Sequence, residues 1–510
     1  MKRLLFLLCA AAFATEALAR QTPDYTVMGT VSSIHENHLA VTADDGTVRH
    51  ITLTAKTRIL RGTTVVTAAD IRTAEHIAVK VVETTDEKGA TALIAEEVHL
   101  GTAALVSKPA AAAAAHQHGA VQPQGSSWHI MQDAVAFLTY NDQGGPRGSV
   151  NGGEYVSQNW WMGMAERPAA GGTLQLNLML SLEPATVGKS GYGEIFQVGE
   201  TLSGFPLIDH QHPHDFLMQA AIVWRLPLLR GYRLTLGGAP VGEPALGPVA
   251  FMHRSSAYEN PTAPLGHHTF DSTHIAMGVL TAGLARGPFE VESSIFRGRE
   301  PDEQRWDLMD PGPLDSWSVR GWYRPNDAFS FQLSHGFLTE PEALEEGNAR
   351  RTTASASWMR RRGDNWTSTT VAYGRNDKHG ASYDAFLAES THVMGKTTLY
   401  GRGEVLQVET DVLRFGVHIS SGITKTNAHE VGDFGRIDVV KALTLGGVRR
   451  LRGWRGWDLG AGGDVTFYGV PEILEPFHGE RPVSFHLFFR IRSPAPMGRM
   501  HDMTMTKGMR

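Results

Sequence analysis

Cysteine is nearly missing from this sequence, since its 510 residues include only one, Cys9. The rest of the chain therefore cannot form a disulfide framework, a cysteine-rich zinc site or a cysteine nucleophile. Excess positive charge is missing too, because the net charge is −6, and this gives no electrostatic case for binding nucleic acid. Long hydrophobic runs are also lacking: no stretch after residue 19 approaches the ~20 apolar residues of a membrane-spanning helix.

Sequence signatures of catalysis are lacking as well. The chain has no G-x-S-x-G nucleophile elbow, no H-E-x-x-H zinc helix and no phosphate-binding P-loop. Ser272 lies close to His268, Asp271 and His274 in the sequence, but a catalytic triad is defined by positions in space. We therefore expect a protein that is not an enzyme, with a surface hydrolase acting on lipid or polysaccharide as an alternative.

The first residues have the pattern of a secretory signal. Two basic residues precede an apolar run over 4–13, and an A-x-A cleavage site ends at Ala19. The run is too short to span a bilayer, so we predict a signal peptide over residues 1–19. Leu8 precedes Cys9 where a lipoprotein signal has a small residue, and we therefore expect no lipid anchor.

Residues 128–492 have the alternating pattern of strands that separate lipid from water. In the stretch 173–182, leucine occupies every second position, and the residues between are polar apart from Met179. The first strand carries Trp128 and Tyr140 near its two ends, as expected for the aromatic girdles at the two membrane interfaces. Such strands are typical of transmembrane barrels, whose outer face contacts lipid while the inner face is wet.

The connections between these strands alternate between short and long. The predicted short connections are 167–172, 227–231, 286–288, 324–327, 362–365 and 395–396. The predicted long ones are 141–153, 184–214, 241–271, 300–314, 339–350, 376–382, 410–430 and 470–480. Short periplasmic turns and long external loops are typical of bacterial outer-membrane barrels. We predict an all-β protein with a closed antiparallel transmembrane barrel of about 16 strands, within a range of 14–18.

Charged residues occupy several positions on the wet face of these predicted strands. They are Arg320, Arg402, Glu404, Asp464 and Arg490. A lumen lined in this way suits a hydrated, porin-like pore, with a small solute or a metal ion as its partner alongside the membrane lipid.

Three further segments complete the predicted organisation. Residues 25–101 read as a small β-domain with a hairpin turn at 44–47. Residues 102–127 form a linker rich in alanine, histidine, glycine and proline, and residues 493–510 form a tail rich in methionine and histidine. We expect the front domain to lie in the periplasm, where a structural or docking role suits it; no partner follows from its sequence.

The front segment resembles a known kind of domain. Its pattern G-T-V…L-A-V-T…D-D-G-T…T-R-I-L-R-G…A-L-I-A-E-E-V-H-L-G is similar to small OB-like barrel domains of unknown function in exported bacterial proteins. OB barrels can bind oligonucleotides, but these strands lack the basic and aromatic stacking face which that activity requires. The resemblance therefore implies a small barrel without nucleic-acid binding.

Two histidine-rich segments carry the strongest chemical signal. The sequence D-H-Q-H-P-H-D spans 209–215, and G-H-H-T-F-D-S-T-H spans 266–274. Each ends a predicted long loop, so both should lie at the same rim of the barrel, where separate loops can complete one coordination sphere. Imidazole and carboxylate groups in such density suit a divalent transition metal. The candidate ligands are His210, His212, His214, Asp215, His253, His267, His268, Asp271 and His274.

The two motifs also resemble those of an uncharacterised family of Gram-negative outer-membrane, porin-like barrels, which implies the same fold and brings no established activity. The tail adds soft thioether ligands at five positions within 497–509, and these favour copper over zinc as the metal. Binding should weaken below about pH 6.5, because a histidine must be neutral to ligate a metal. The alternative is a structural barrel whose histidines only pin its loops by hydrogen bonds.

Overall fold

A computed structural model of the chain describes residues 24–35, 37–43, 47–61, 64–85, 91–100, 128–149, 152–308, 312–343, 347–415 and 435–493. The predicted signal peptide, the linker 102–127, the hairpin residues 44–46 and the tail from 494 onward lie outside the described residues. The chain divides into two compact units, 1–116 and 117–510.

The first unit is a small closed sheet. Its strands are β1 (Asp24–His35), β2 (His38–Ala43), β3 (Val48–Thr52), β4 (Arg58–Arg61), β5 (Thr64–Val66), β6 (His76–Thr85) and β7 (Thr91–Leu100). The strand order is β3-β2-β1-β6-β7-β4-β5, and a parallel pairing of β3 with β7 closes five of the strands into a ring. Val31, Val41, Ile77 and Val98 are buried in its core. This confirms the small N-terminal barrel, while its OB-like class stays a prediction.

The second unit is a large closed barrel. Its strands are β8 (His129–Asp142), β9 (Glu154–Val156), β10 (Asn159–Ala169), β11 (Gly172–Leu180), β12 (Tyr192–Leu202), β13 (Phe205–Gln211), β14 (Leu217–Pro227), β15 (Tyr232–Gly242), β16 (Ala276–Arg286), β17 (Phe289–Arg297), β18 (Ser316–Asn326), β19 (Phe329–Leu338), β20 (Ala349–Arg362), β21 (Asn365–Lys378), β22 (Ala381–Met394), β23 (Thr397–Glu409), β24 (Ile437–Arg450), β25 (Asp458–Gly469) and β26 (Val483–Arg492).

Sixteen of these strands form the barrel wall. Each pairs antiparallel with its neighbours, and β26 pairs with β8 so that Phe489 lies opposite Leu138 and the ring closes. The short strand β9 extends the sheet beside β8, and β12 and β13 form a separate hairpin. The predicted closed antiparallel barrel of about 16 strands is therefore confirmed.

The helices among the described residues of the second unit are short and lie in the connections. They are α1 (Glu183–Thr186), α2 (His267–Phe270), α3 (Thr410–Phe415) and α4 (Glu475–His478). Among the described residues, no helix is long and apolar enough to cross a membrane.

The connections follow the predicted alternation with one difference. At one end of the barrel, turns such as 170–171, 287–288 and 395–396 contain two residues. At the other end lie long segments such as 243–275, with one exception: the predicted long connection 376–382 is wrong, because β21 and β22 continue into a two-residue turn. Sequence alone does not reveal this, since polar residues in an extended strand beyond the membrane resemble a loop.

The two faces of the wall differ as the alternation requires. Leu176 and Leu178 on β11 are 37% and 40% exposed on the outer face, whereas Gln175 and Met179 are 2% and 4% exposed. The outer face thus presents apolar side chains to lipid, and the inner face is covered by other parts of the chain.

Leu176 lies at the middle of β11, and replacing it with arginine should destabilise the barrel. A charge on the lipid face near the bilayer midplane costs about 2–4 kcal/mol. The measurement is the free energy of unfolding in lipid vesicles, with Leu176→Ala as the control that removes the side chain without adding charge. An arginine variant no less stable than the alanine variant would contradict the outward orientation.

Candidate metal centre in the barrel lumen

The segment between β15 and β16, residues 243–275, folds into the barrel and is called the plug here. Ala245 near its start donates its backbone N–H to the Ser294 hydroxyl of β17 at 2.8 Å. Tyr258 in its middle accepts at its carbonyl from Arg492 of β26 at 2.6 Å. These strands are well separated around the wall, so the plug crosses the lumen.

Buried ion pairs fix the plug to the wall. Arg254 of the plug is 4% exposed and donates to Glu389 of β22 and to Asp271 of the plug, each at 2.7 Å. Arg402 of β23 donates to the second oxygen of Glu389 at 3.2 Å. Arg490 of β26 donates to Glu259 of the plug at 3.1 Å. Because a carboxylate and a guanidinium meet at each contact, the charges are largely compensated without water.

These contacts correct the expectation of a hydrated lumen. Arg402, Glu404, Asp464 and Arg490 point inward as predicted, but all four are less than a tenth exposed. Glu404 accepts from the plug backbone at Gly266, and Asp464 contacts His486 of the wall at 2.6 Å. At this level the described lumen is filled by the plug rather than by solvent.

A second inserted segment brings the first histidine motif to the plug. The β12–β13 hairpin is fixed by Asp209, which contacts His478 of α4 at 3.0 Å. The hydroxyl of Tyr192 on the same hairpin accepts the backbone N–H of Ala263 in the plug at 3.2 Å. Residues 212–216 leave this hairpin directly toward β14, so His212 and His214 face the plug.

Five histidines from the two motifs pack together in this position. The ring centroids of His214 and His274 are 5.3 Å apart, and those of His267 and His274 are 5.2 Å apart. His212 lies 6.2 Å from His267 and 5.7 Å from His268. Imidazoles that share one tetrahedral ion, with metal–nitrogen bonds of about 2.0–2.1 Å, have centroids roughly 5 Å apart. The pairs His214–His274 and His267–His274 thus have about the centroid spacing of two imidazoles that share an ion, whereas the pairs of His212 are wider apart.

One nitrogen of each ring in the core of this group is held by an oxygen atom. The Nδ1 atom of His214 lies 2.8 Å from Glu183, that of His267 lies 2.8 Å from Asp271, and that of His274 lies 2.8 Å from the Asp271 carbonyl. A proton on Nδ1 satisfies each contact and leaves Nε2 as the nitrogen with a free lone pair. This is how metal-binding histidines are oriented in proteins.

The opposite nitrogens are buried without a hydrogen-bond partner. This holds for the Nε2 atoms of His214, His267 and His274, and for that of His212, which lies 3.2 Å from Glu200 without hydrogen-bond geometry. A buried nitrogen without a partner costs free energy, commonly about 1–3 kcal/mol. Four such atoms occur on neighbouring rings of this one group.

Burial also sets the protonation state of the group. It lowers the pKa of His212, His267 and His274 below the usual value for histidine, with the neighbouring imidazoles adding to the effect at His212 and His274. These rings are therefore neutral at pH 7, the form that binds metal. Burial lowers and the Glu300 carboxylate raises the pKa of His268, with a net upward direction.

His268 belongs to a second arrangement at the edge of the group. In the described part of the chain, His268, Glu300 and Glu342 have ligand atoms within 4.8 Å of one another. The ligand nitrogens of His214, His267 and His274 are not all within 4.8 Å of one another. These rings must therefore rotate toward a common point to share an ion. Both Glu300 oxygens are buried without a hydrogen-bond partner. This trio extends the candidate site toward carboxylate ligands.

The remaining predicted ligands lie elsewhere or act indirectly. Asp215 pairs with Arg305 at 3.2 Å, and Asp271 is bound by Arg254 while it holds His267. His210 contacts the Ile208 carbonyl, and the ring of His253 lies 5.0 Å from that of Trp160. The structure therefore brings together five of the nine predicted residues, and Asp271 orients two of them, His267 by its carboxylate and His274 by its backbone carbonyl.

Three carboxylates at the site were missed by the sequence reasoning: Glu183, Glu200 and Glu300. Each contacts one histidine of the group. Glu183 and Glu200 lie in the same connection between wall strands as His212 and His214, and Glu300 comes from another loop. No local motif marks them, because each meets its histidine only when the loops are folded. Ser272, considered for a hydrolase, accepts from Arg351 at 2.9 Å.

Comparison with known proteins yields structural likenesses alone. No protein-family model matches this sequence, and no curated protein matches it. Pseudomonas putida OprB in its high-pH structure is 11% identical, with a TM-score of 0.44 over 72% of this chain and 94% of its own. An anion-selective porin from Comamonas acidovorans is 10% identical, with a TM-score of 0.43 over 72% of this chain and 100% of its own. OmpT of Vibrio cholerae with loop L8 deleted is 10% identical, with a TM-score of 0.39.

The class of this protein follows from its own architecture. An even number of antiparallel strands, a closed ring, an apolar outer face, and short turns opposite long loops define an outer-membrane type of barrel. It is a 16-stranded, porin-like outer-membrane barrel with a plug in its lumen, and a small β-barrel domain precedes it in the sequence.

Proposed function

We propose that this outer-membrane barrel binds a divalent transition metal, copper or zinc, inside its lumen. The observation that carries the proposal is the set of buried histidines whose Nδ1 atoms are held and whose Nε2 atoms have no partner. His214, His267 and His274 are the proposed ligands, with His212 beside them. The front domain stays periplasmic in this proposal, because it precedes a barrel strand that begins at the short-turn end.

The chemistry of the ligand set favours a borderline metal. Neutral imidazole suits copper, zinc and nickel, whereas calcium and magnesium require a shell of oxygen atoms. The group is composed mainly of imidazole, and its carboxylates are largely engaged in orienting rings or pairing with arginine. A loop-pinning network without metal accounts for the contacts of the Nδ1 atoms but leaves the buried Nε2 atoms without partners.

Metal content of the purified full chain tests the proposal. Protein in detergent is loaded with zinc(II) or copper(II), passed over a desalting column and analysed by mass spectrometry of the metal. We expect about one equivalent or more in the wild type, and its loss in the double variant His214→Ala/His267→Ala. The exposed His129 lies on the same barrel, and His129→Ala should keep the full metal content.

Two results would favour one of the alternatives, a structural barrel with loop-pinning histidines or a hydrolase. A wild-type barrel that holds neither metal at neutral pH would favour histidines that only pin the loops. Turnover of acyl esters by the same preparation would favour the hydrolase. Circular dichroism of each variant establishes that loss of metal is not loss of the barrel.

A further inference from the structure

Methionine is concentrated in one part of the barrel interior. The chain has 17 methionines, and seven of them pack in a single cluster against one side of the wall. Its methionines are Met131, Met162, Met164, Met179, Met218, Met252 and Met277, and they pack with Val241, Ile275, Trp160 and Leu217. Six come from five wall strands, β8, β10, β11, β14 and β16, and Met252 comes from the plug.

The strand register places these side chains in opposing pairs. Met162 on β10 lies opposite Met179 on β11, and Met164 on β10 lies opposite Met131 on β8. Directly opposite side chains on one face have Cβ atoms about 4.5–5.5 Å apart. Thioethers at the ends of such side chains can reach a common point between strands.

Five of these methionines line a cavity of about 270 Å³, called the chamber here. His253 and His274 border it as well, and charged residues such as Arg225, Arg320 and Glu292 belong to its lining. The Met164 sulfur accepts from the Gln175 amide at 2.9 Å, and Gln175 borders the chamber as well. The sulfur of Met164 therefore points toward polar surroundings and not into a purely apolar core.

Packing alone gives no reason for this composition. Leucine and isoleucine fill a core with fewer flexible bonds, and methionine specifies a packed arrangement poorly. Thioether sulfur is a soft ligand that selects copper(I) among the first-row metals. A chamber with five thioethers and two imidazoles at its border combines the ligands that such an ion prefers.

We propose that the chamber is a second metal site, specific for a soft monovalent cation and occupied by copper(I). It goes beyond the proposed function, because its ligands are sulfur atoms from the wall and its ion has a different charge. The ion binds in this oxidation state, so no electron transfer is involved. The proposal stands even if the histidine group binds no divalent metal.

Silver(I) is the probe, since it has the ligand preference of copper(I) and does not change oxidation state. The full chain in detergent is titrated with silver nitrate by calorimetry. We expect the double variant Met164→Leu/Met218→Leu to lose one equivalent or to bind it at least ~10-fold more weakly. Leucine conserves the side-chain volume, so the barrel should persist. Met359→Leu is the matched control, because Met359 is buried at another place in the barrel.

A second pair of methionine substitutions and a variant of the tail test whether silver binds in the chamber. Met162→Leu/Met179→Leu should reproduce the loss, and unchanged silver binding in both pairs would overturn the proposal. The tail carries five methionines within 497–509, and a variant with leucine at all five should keep the chamber equivalent. X-ray absorption of this tail variant should show silver–sulfur scattering, and its absence would overturn the proposal even if the chamber variants do not fold.

Zinc loading of the same variants keeps the two proposals distinguishable. The chamber variants should retain zinc(II), and His214→Ala/His267→Ala should retain silver(I). Loss of silver(I) from that histidine variant would assign the soft ion to the histidine group and overturn a separate chamber site.

Discussion

Alanine in place of Arg254 should lower the free energy of unfolding by about 3–5 kcal/mol and increase the ionic current through the barrel. Removal of one partner from a buried ion pair has this cost, because it leaves the other charge uncompensated. Here the guanidinium joins Asp271 of the plug to Glu389 of the wall. Denaturant unfolding in vesicles measures the stability, and recording in planar bilayers measures the current.

Arg481→Ala is the matched control for this prediction. Arg481 pairs with Glu480, and their side chains are 86% and 71% exposed, so the loss should be about 1 kcal/mol or less. In Arg254→Ala, Glu389 keeps Arg402 as a partner, whereas Asp271 loses its guanidinium. The double variant Arg254→Ala/Asp271→Asn should therefore recover part of the lost stability, since it removes the uncompensated charge. If Arg254→Ala behaved like the control in both measurements, the plug would not depend on this ion pair.

Replacing Glu183 with glutamine should weaken binding of the divalent metal by about 10–100-fold, the usual effect of losing a group that orients a metal ligand. Glu183 is 3% exposed and lies 2.8 Å from Nδ1 of His214. Glutamine keeps the shape but offers an N–H as well as an oxygen. It can thus favour the ring form with the proton on Nε2, which does not ligate. Competition with a zinc-binding dye measures the affinity.

The control for this prediction is Glu154→Gln, in which the carboxylate contacts Asn141 and the backbone of Gly193 instead of a histidine. That variant should change the affinity little. An unchanged affinity in Glu183→Gln, with the barrel intact, would exclude His214 as a ligand.

The barrel could be predicted from the sequence because its physical cause is local. Lipid on one side and protein or water on the other impose a period of two, which is plain in the leucines of 173–182. The approximate strand number follows from counting such segments. The turn at 379–380 was missed because strands that extend past the membrane no longer carry the apolar half of the pattern.

The plug could not be predicted, because its partners are distant in sequence. No residue near Arg254 in the sequence indicates that it pairs with Glu389, and no residue near Glu259 indicates that it pairs with Arg490. The meeting of the two histidine motifs was predicted from their equivalent places in successive loops. The role of Glu183 was not predicted. Met162 and Met164 did carry a sequence signal for the methionine cluster, because alternate residues of a strand share a face.

The way the plug is fixed also constrains the order of assembly. Arg490 and Arg492 belong to the last strand of the barrel, and they contact residues of the plug more than 200 positions earlier in the chain. Contacts of such long range form late, because the intervening chain must first be ordered. Until β26 is inserted, Glu259 lacks its arginine partner, and the cost of burying its charge opposes entry of the plug. Closure of the ring and docking of the plug are therefore coupled, and a chain interrupted before its final strand would expose the histidines that the finished barrel encloses.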